Sequence, residues 1–214
     1  MKALIASFLF AALTLASPIQ VRQNTGLTEN EYTRGGCRDV IFFFARGSTE
    51  VGNMGSTVGP PTSDGLKQAF GSSNVATEGI DYDAALATNF NPGGADYAGI
   101  RELEDLLDRA ASRCPNSKIV VSGYSQGAAL VHRAVEDRSA AVKAKIVGVV
   151  TYGDTQNLQD RGRVPNFPSE KLLIICNAGD LVCSGTLTIT AAHLAYEPRV
   201  GQAVAFLTGR IRAG

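Results

Sequence analysis

Short, continuous apolar runs recur along the chain and are separated by amphipathic stretches. Five of these runs are rich in β-branched and aromatic residues, namely DVIFFFA (39–45), about SNVATEG (73–79), KIVVSGY (118–124), KIVGVVTYG (145–153) and KLLIICN (171–177). They do not alternate strictly between apolar and polar positions, which is typical of strands that are covered on both faces. The pattern therefore predicts five buried strands.

Helical patterns lie between these runs. The clearest is YAGIRELEDLLDRAASRC, in which one stripe is apolar and the charges lie opposite it; the stripe consists of Ile100, Leu103, Leu107, Ala110 and Cys114. Further helices are predicted over roughly 62–70, after Ser125, and at the end of the chain, where Val200, Val204, Leu207 and Ile211 recur. Strands that alternate with helices predict one α/β domain with a central parallel sheet covered by helices on both faces.

Composition and charge agree with one ordinary globular domain. The chain has 214 residues, of which 44% are hydrophobic and 19% charged, and its 20 Lys and Arg balance 20 Asp and Glu. It contains no basic run that would attract nucleic acid or an anionic membrane surface. We therefore expect neither of those partners.

The first residues, MKALIASFLFAALTLAS, have the features of a secretory signal peptide. A lone Lys2 precedes an apolar stretch that is too short to span a bilayer, and small residues follow it. We expect a signal peptide over 1–16, a flexible leader or propeptide over 17–32 and the folded domain over 33–214. No other apolar stretch could cross a membrane, so the protein is expected to be secreted.

Four cysteines are an even number in a chain expected to reach an oxidising compartment, which favours two disulfides. Three pairings are possible. We favour Cys176 with Cys183, which closes a small loop, and Cys37 with Cys114, which ties the start of the domain to a distant helix end. A zinc site is the alternative, but no cysteine pair has the required close spacing and neither histidine has a second one nearby, so no metal is expected.

The stretch GYSQG (123–127) places Ser125 between two glycines where a predicted strand ends and a predicted helix begins. A G-x-S-x-G match alone is weak, but a serine nucleophile of the elbow type requires this strand–turn–helix context. The glycines suit a crowded turn in which a Cβ would clash. Ser125 is therefore the candidate nucleophile, and an ordinary turn between a strand and a helix is the alternative.

Two histidines are available as the base that such a serine needs. His132 lies about 10 Å from Ser125 along the axis of the outgoing helix, so we interpret it as an ordinary surface or helix-packing residue. His193 precedes the last helix in a predicted loop, and loops at the carboxyl ends of parallel strands are where such sheets place their chemistry. By elimination, His193 is the candidate base.

A carboxylate should fix the tautomer of that histidine and should lie between the serine and the histidine in the chain. Asp154 and Asp180 each follow a predicted strand. We prefer Asp180, because it belongs to the strand before His193 and lies inside CNAGDLVC, which a disulfide would hold in place. Asp154 is the second candidate.

Acyl transfer by a serine nucleophile also requires donors for the oxyanion of the tetrahedral intermediate. The backbone N–H of Gln126, at the start of a helix, is one candidate. Ser48, in the RGSTE stretch after the first strand, is the other. These two loops would meet if the strand order reverses between the first and third strands.

Four segments resemble fungal cutinases, which are secreted serine esterases with a compact α/β-hydrolase fold and no full lid. They are FFFARGSTEVGNMG (42–55), KIVVSGYSQGAAL (118–130), CNAGDLVC (176–183) and TLTITAAHLAYEP (186–198). The resemblance implies the triad Ser125, Asp180 and His193, an oxyanion hole of Ser48 and Gln126, the same two disulfides, and no cofactor. The 79–93 stretch follows the family only loosely.

The resemblance further implies cutin, a polyester of hydroxy fatty acids, as the substrate, with short- to medium-chain soluble esters also cleaved. Apolar residues that could meet it are Leu86, Leu187, Ile189 and Leu194, although inward packing of half or more of them is at least as plausible. A monomer is expected. Acetylxylan esterase activity is the nearest alternative function, and a non-catalytic secreted binding protein is the alternative from another class.

Overall fold

A computed structural model describes residues 24–214. The expected signal peptide and the first part of the leader lie outside the described residues. Five strands form one fully parallel sheet in the order β2-β1-β3-β4-β5, and their bounds are Val40–Ala45 (β1), Val75–Gly79 (β2), Lys118–Tyr124 (β3), Ile146–Tyr152 (β4) and Leu172–Ile175 (β5). The five strands predicted from the apolar runs are thereby confirmed, and their bounds differ from the predicted ones by at most two residues.

The α-helices of the described part are Glu31–Gly35 (α1), Gly59–Phe70 (α2), Tyr97–Arg113 (α3), Gln126–Glu136 (α4), Ala140–Lys145 (α5), Ala191–Leu194 (α6) and Val200–Ala213 (α7). Among residues 24–214, no helix combines the length and the apolar character that crossing a membrane requires. The sequence pattern did not predict α1, α5 or α6, because four to six residues are too few to display an apolar stripe.

Two separate apolar cores, one on each face of the sheet, explain why the strands do not alternate. Ile41 and Phe43 face a core that is completed by α3, α4 and α5, while Phe42 and Phe44 face one that is completed by α2 and α7. All four side chains are fully buried. Each such burial contributes roughly 1.5–3 kcal/mol to stability, so both faces of β1 must be apolar.

The strand order creates a crevice at the carboxyl ends of β1 and β3. β1 pairs with β2 on one side and β3 on the other, so the chain leaves β1 and β3 in opposite directions across the sheet. Ala45 and Gly123 are paired in register, which places the loop after β1 directly beside Ser125. This is the switch point where ligands bind in open α/β sheets, and the expected reversal of strand order is observed.

Residues 24–32, the described end of the segment expected to be a flexible leader or propeptide, lie against the domain. Thr25 and Tyr32 are buried, Asn30 forms an isolated bridge with Glu78 on β2, and the ring of Tyr32 packs edge-on against Phe43 at 5.6 Å. The described part of the 17–32 segment, residues 24–32, is thus packed onto the domain. Residues 24–32 show no periodic apolar pattern because they contact the domain through single side chains and backbone groups.

Both disulfides join the pairs that the sequence favoured. Cys37 is bonded to Cys114 at the end of α3, and Cys176 is bonded to Cys183 across the loop after β5. The second bridge closes a loop of seven residues' separation that contains Asp180. It therefore restrains one of the candidate site residues directly.

Candidate active site

Ser125 occupies a tight turn between β3 and α4. Its backbone has a φ of 55°, which is uncommon for a residue other than glycine. A Cβ at Gly123 would lie 2.2 Å from the carbonyl oxygen of Gly127, and one at Gly127 would lie 2.0 Å from that of Ala45. The two glycines of GYSQG are therefore required by close backbone contacts, as the turn argument predicted.

The structure brings Ser125, His193 and Asp180 together. The Oγ of Ser125 lies 3.0 Å from Nε2 of His193, and Nδ1 of His193 lies 2.9 Å and 3.1 Å from the two carboxylate oxygens of Asp180. All three residues are buried, with exposed fractions of 8% or less. A hydroxyl, an imidazole and a carboxylate in this sequence of contacts can transfer a proton from the serine to the ring.

Two further donors hold the Asp180 carboxylate. The backbone N–H of Val182 donates to Oδ1 at 3.0 Å, and the hydroxyl of Tyr196 donates to Oδ2 at 2.6 Å. Burial, together with the neighbouring carboxylate, raises the pKa of Tyr196, so this hydroxyl remains a donor. The sequence reasoning missed Tyr196, although it lies in the HLAY stretch.

The ring and the backbone of His193 are both held by neighbouring residues. It lies in α6 rather than in a loop, Tyr124 stacks on it with ring centres 5.4 Å apart, and the hydroxyl of Tyr124 donates to its backbone carbonyl at 2.7 Å. Gly153 lies behind it with a φ of 53°, and a Cβ there would lie 2.9 Å from Cε1 of the ring. The imidazole therefore has little freedom to leave Ser125.

The candidate oxyanion donors flank the serine. Gln126 is the first residue of α4 and is fully buried. The Oγ of Ser48 accepts hydrogen bonds from Nδ2 of Asn89 at 2.8 Å and from Nε2 of Gln126 at 3.2 Å. Because both contacts use the oxygen as an acceptor, the hydroxyl hydrogen of Ser48 is free to point elsewhere. The sequence reasoning did not identify Asn89.

A hydrogen-bond network centred on Glu50 holds the Ser48 loop. The carboxylate of Glu50 accepts from the backbone N–H of Gly47, Ser56 and Thr57 at 2.8–3.0 Å. The side chain of Arg46 donates to the backbone carbonyl of Glu50 at 2.8 Å. The loop is therefore fixed before any substrate arrives.

Exposed apolar side chains, called the apolar rim below, lie in or next to the segments that carry these polar groups. The four proposed substrate contacts are all exposed, with fractions of 60% for Leu86, 43% for Leu187, 51% for Ile189 and 65% for Leu194. Inward packing of these residues is therefore not observed. Phe90 and Leu181, which the sequence reasoning missed, are exposed as well. Phe90 shares a short helical turn with Leu86 and Asn89, whose side chain contacts Ser48.

The second histidine is not a surface residue, and its surroundings correct two interpretations. His132 is fully buried, with Nε2 2.8 Å from Asp154 and Nδ1 2.7 Å from Asp160. Asp154, the second candidate for the triad, therefore contacts His132 and not His193. Burial alone would lower the pKa of His132, but the charges and hydrogen bonds of the two carboxylates outweigh it and raise the pKa to about 9.

Within residues 24–214, no three His, Cys, Asp or Glu side chains are grouped in a way that could hold a metal ion.

Comparison with known proteins decides the family. The family model described as cutinase matches residues 36–211. The chain belongs to the cutinase family. It is 52% identical over 208 residues to cutinase CUT2 of Pyricularia oryzae, and the match covers 97% of both chains. Cutinases are serine ester hydrolases, and the chain is an enzyme of this class.

Solved structures support the same fold. A Trichoderma reesei cutinase in complex with a C11Y4 phosphonate inhibitor superposes with a TM-score of 0.77 and 35% identity, covering 87% of this chain and 80% of that one. The catalytic core domain of an acetyl xylan esterase from Trichoderma reesei superposes with a TM-score of 0.61 at 20% identity, covering 81% of this chain and 99% of that one. The second likeness shows a shared α/β-hydrolase fold alone.

Proposed function

We propose that the protein is a secreted esterase that cleaves cutin through an acyl-enzyme formed on Ser125. His193 accepts the proton of Ser125 while the hydroxyl oxygen attacks the ester carbonyl. The same proton is then donated to the leaving alcohol, and the acyl group stays on Ser125. A water molecule activated by His193 releases the acid and restores the serine.

In this proposal, Asp180 keeps the ring of His193 in the tautomer whose Nε2 can accept a proton. It also stabilises the imidazolium that forms during attack. The N–H of Gln126 and the hydroxyl or N–H of Ser48 stabilise the oxyanion, and such a donor typically contributes about 10²- to 10³-fold in rate. The proposal rests on one observation above the others, the 3.0 Å contact between Ser125 Oγ and His193 Nε2.

The apolar rim supports a polyester or acyl-chain substrate. Exposed aliphatic side chains on both sides of Ser125 would contact the hydrocarbon part of cutin, whose ester bonds must reach a site without a full lid. The same rim would accept short- to medium-chain soluble esters. Acetylxylan is a hydrophilic polysaccharide and would gain little from contact with the apolar rim. The acetylxylan esterase alternative is therefore less well supported.

The proposed location is outside the cell. The apolar N-terminal stretch and the two disulfides support export, and we propose that the mature enzyme acts as a monomer. N-terminal sequencing of the secreted protein locates the cleavage site expected after residue 16. Size-exclusion chromatography with light scattering measures the oligomeric state.

Product analysis tests the proposed substrate. Purified cutin, acetylated xylan and p-nitrophenyl butyrate are incubated with the wild-type enzyme and with Ser125→Ala. We expect hydroxy fatty acids from cutin and rapid cleavage of the butyrate, both abolished by the substitution. Acetate release from xylan at a much higher rate than butyrate cleavage would favour the acetylxylan esterase alternative. Equal activity of Ser125→Ala would refute the mechanism.

A further inference from the structure

A second histidine–carboxylate cluster lies beneath the site and takes no part in the proposed chemistry. Both ring nitrogens of His132 face carboxylate oxygens, at 2.8 Å from Asp154 and 2.7 Å from Asp160. A carboxylate only accepts hydrogen bonds, so both nitrogens are satisfied together only when each carries a proton. The geometry therefore requires the imidazolium form of a ring that is fully buried.

Charged groups from each side of the ring complete the cluster. Asp154 and Asp160 come from the segment after β4, while Arg133 and Glu136 lie on the same helix as His132. Arg133 forms ion pairs with Asp160 and Glu136. Asp154 is fully buried and also accepts from the hydroxyl of Thr151 and the N–H of Gln156, each at 2.8 Å. The nearby positive charge of His132 offsets the cost of this burial and lowers the pKa of Asp154.

The cluster joins two parts of the active site. His132 lies on α4, the helix that starts immediately after Ser125. Asp154 follows Gly153, whose backbone packs against the ring of His193. The end of β4 and the segment that follows it also contact the serine turn directly. The N–H of Ser125 donates to the backbone carbonyl of Tyr152 at 2.9 Å, and the hydroxyl of Thr155 donates to the backbone carbonyl of Ser125 at 3.4 Å.

We propose that His132 and Asp154 are positioning residues whose charged hydrogen bond fixes the distance between the Ser125 turn and the segment that supports His193. Two buried charges do not stabilise a fold more than a well-packed apolar pair would, so a role in geometry accounts for them better than a role in stability. A displacement of about 1 Å between reacting groups can lower a rate about 100-fold. Even a small increase in the freedom of Ser125 relative to His193 should therefore lower kcat measurably. The inference rests on the proposed roles of Ser125 and His193.

Two matched substitutions separate positioning from stability. Asp154→Asn and Asp160→Asn each remove one carboxylate from the same ring and leave it one carboxylate partner, so both are expected to reduce stability. Only Asp154→Asn changes the residue that directly follows Gly153, whose backbone packs against the ring of His193. With p-nitrophenyl butyrate, well below the melting temperature, we expect Asp154→Asn to lower kcat about tenfold with KM changed less than about twofold. Asp160→Asn should retain kcat within about threefold of the wild type.

Equal kcat changes in the two variants, or none in either, would overturn the positioning role. If Asp154→Asn does not fold, a second measurement still tests the charged hydrogen bond on which the proposal depends. In His193→Gln the remaining histidine is His132, and NMR of its ring nitrogens near neutral pH should show both protonated. A neutral ring would contradict the proposal. This measurement does not depend on activity, whereas failure of the proposed function would appear as an active Ser125→Ala.

Discussion

The two histidines of this chain have similar surroundings and opposite capabilities. Each is buried, and each has one ring nitrogen within 3 Å of an aspartate. The other nitrogen of His193 faces the hydroxyl of Ser125, while that of His132 faces the carboxylate of Asp160. A hydroxyl can give its proton to the ring, but a carboxylate can only hold a proton on it.

The partner of the second nitrogen thus decides what a buried histidine can do. With one carboxylate and one hydroxyl, the ring can be neutral at rest and become charged as it takes the serine proton. With two carboxylates, it stays charged near neutral pH and has no capacity left to act as a base there. Burial and an adjacent aspartate alone are therefore poor indicators of a catalytic histidine.

Matched replacement of the two histidines should give the largest difference. We expect His193→Gln to lower kcat by about 10⁴-fold or more, because it removes the proposed base at Ser125. His132→Gln should remain within about 100-fold of the wild type, because it alters geometry alone. Steady-state kinetics with p-nitrophenyl butyrate measures both, and similar losses in the two variants would contradict the comparison.

Replacement of the two aspartates should give the next largest difference. Asp180→Asn should lower kcat by about 10⁴-fold, because an amide favours the tautomer of His193 that cannot accept the serine proton at Nε2. KM should change little. If Asp154→Asn reduced kcat as strongly as Asp180→Asn, the assignment of the two aspartates to different roles would be wrong.

Removal of an oxyanion donor should have an intermediate effect. Ser48→Ala should lower kcat by about 10²- to 10³-fold with a small change in KM, because the donor acts mainly in the transition state. Ser122→Ala on β3 is the matched control, since the Ser122 hydroxyl is buried and has no hydrogen-bond partner among residues 24–214. The control should retain normal kcat, and an unchanged rate in Ser48→Ala would exclude its hydroxyl as a donor.

The smallest predicted effect concerns stability at high pH. The pKa of His132 is about 9 in the folded protein and about 6.5 in an unfolded chain. The part of the unfolding free energy that depends on this proton is therefore fully present below about pH 6.5 and is lost as the pH rises through about 9; it amounts to about 3 kcal/mol relative to a neutral His132. Urea unfolding across this range should show the loss in the wild type and in His193→Gln. A His132→Gln variant with the same pH dependence would refute the assignment.

Much of the fold and the site could be predicted from local sequence patterns. Apolar runs indicated each strand, and the glycines around Ser125 indicated the turn, because both depend on residues close together in the chain. Asp180 could be preferred because the loop that contains it is bracketed by cysteines. His193 followed by elimination, since two histidines left few alternatives.

The remaining features depend on contacts between distant segments. Asn89 meets Ser48 across 41 positions, and His132 meets Asp160 across 28. The apolar pattern after Ser125 indicates a helix but does not reveal that a polar residue on its buried face has two carboxylate partners. Packing of residues 24–32 was missed for the same reason, because it uses isolated contacts such as that of Tyr32 with Phe43.

Labelling with a p-nitrophenyl alkylphosphonate tests the central claim most directly. Such a reagent bonds to an activated serine, so mass spectrometry of digested protein locates the nucleophile. We expect one phosphonyl group per chain, on the peptide that contains Ser125, in the wild type and in His132→Gln, and very slow labelling of His193→Gln. Labelling at another residue, or equally fast labelling of His193→Gln, would contradict the account.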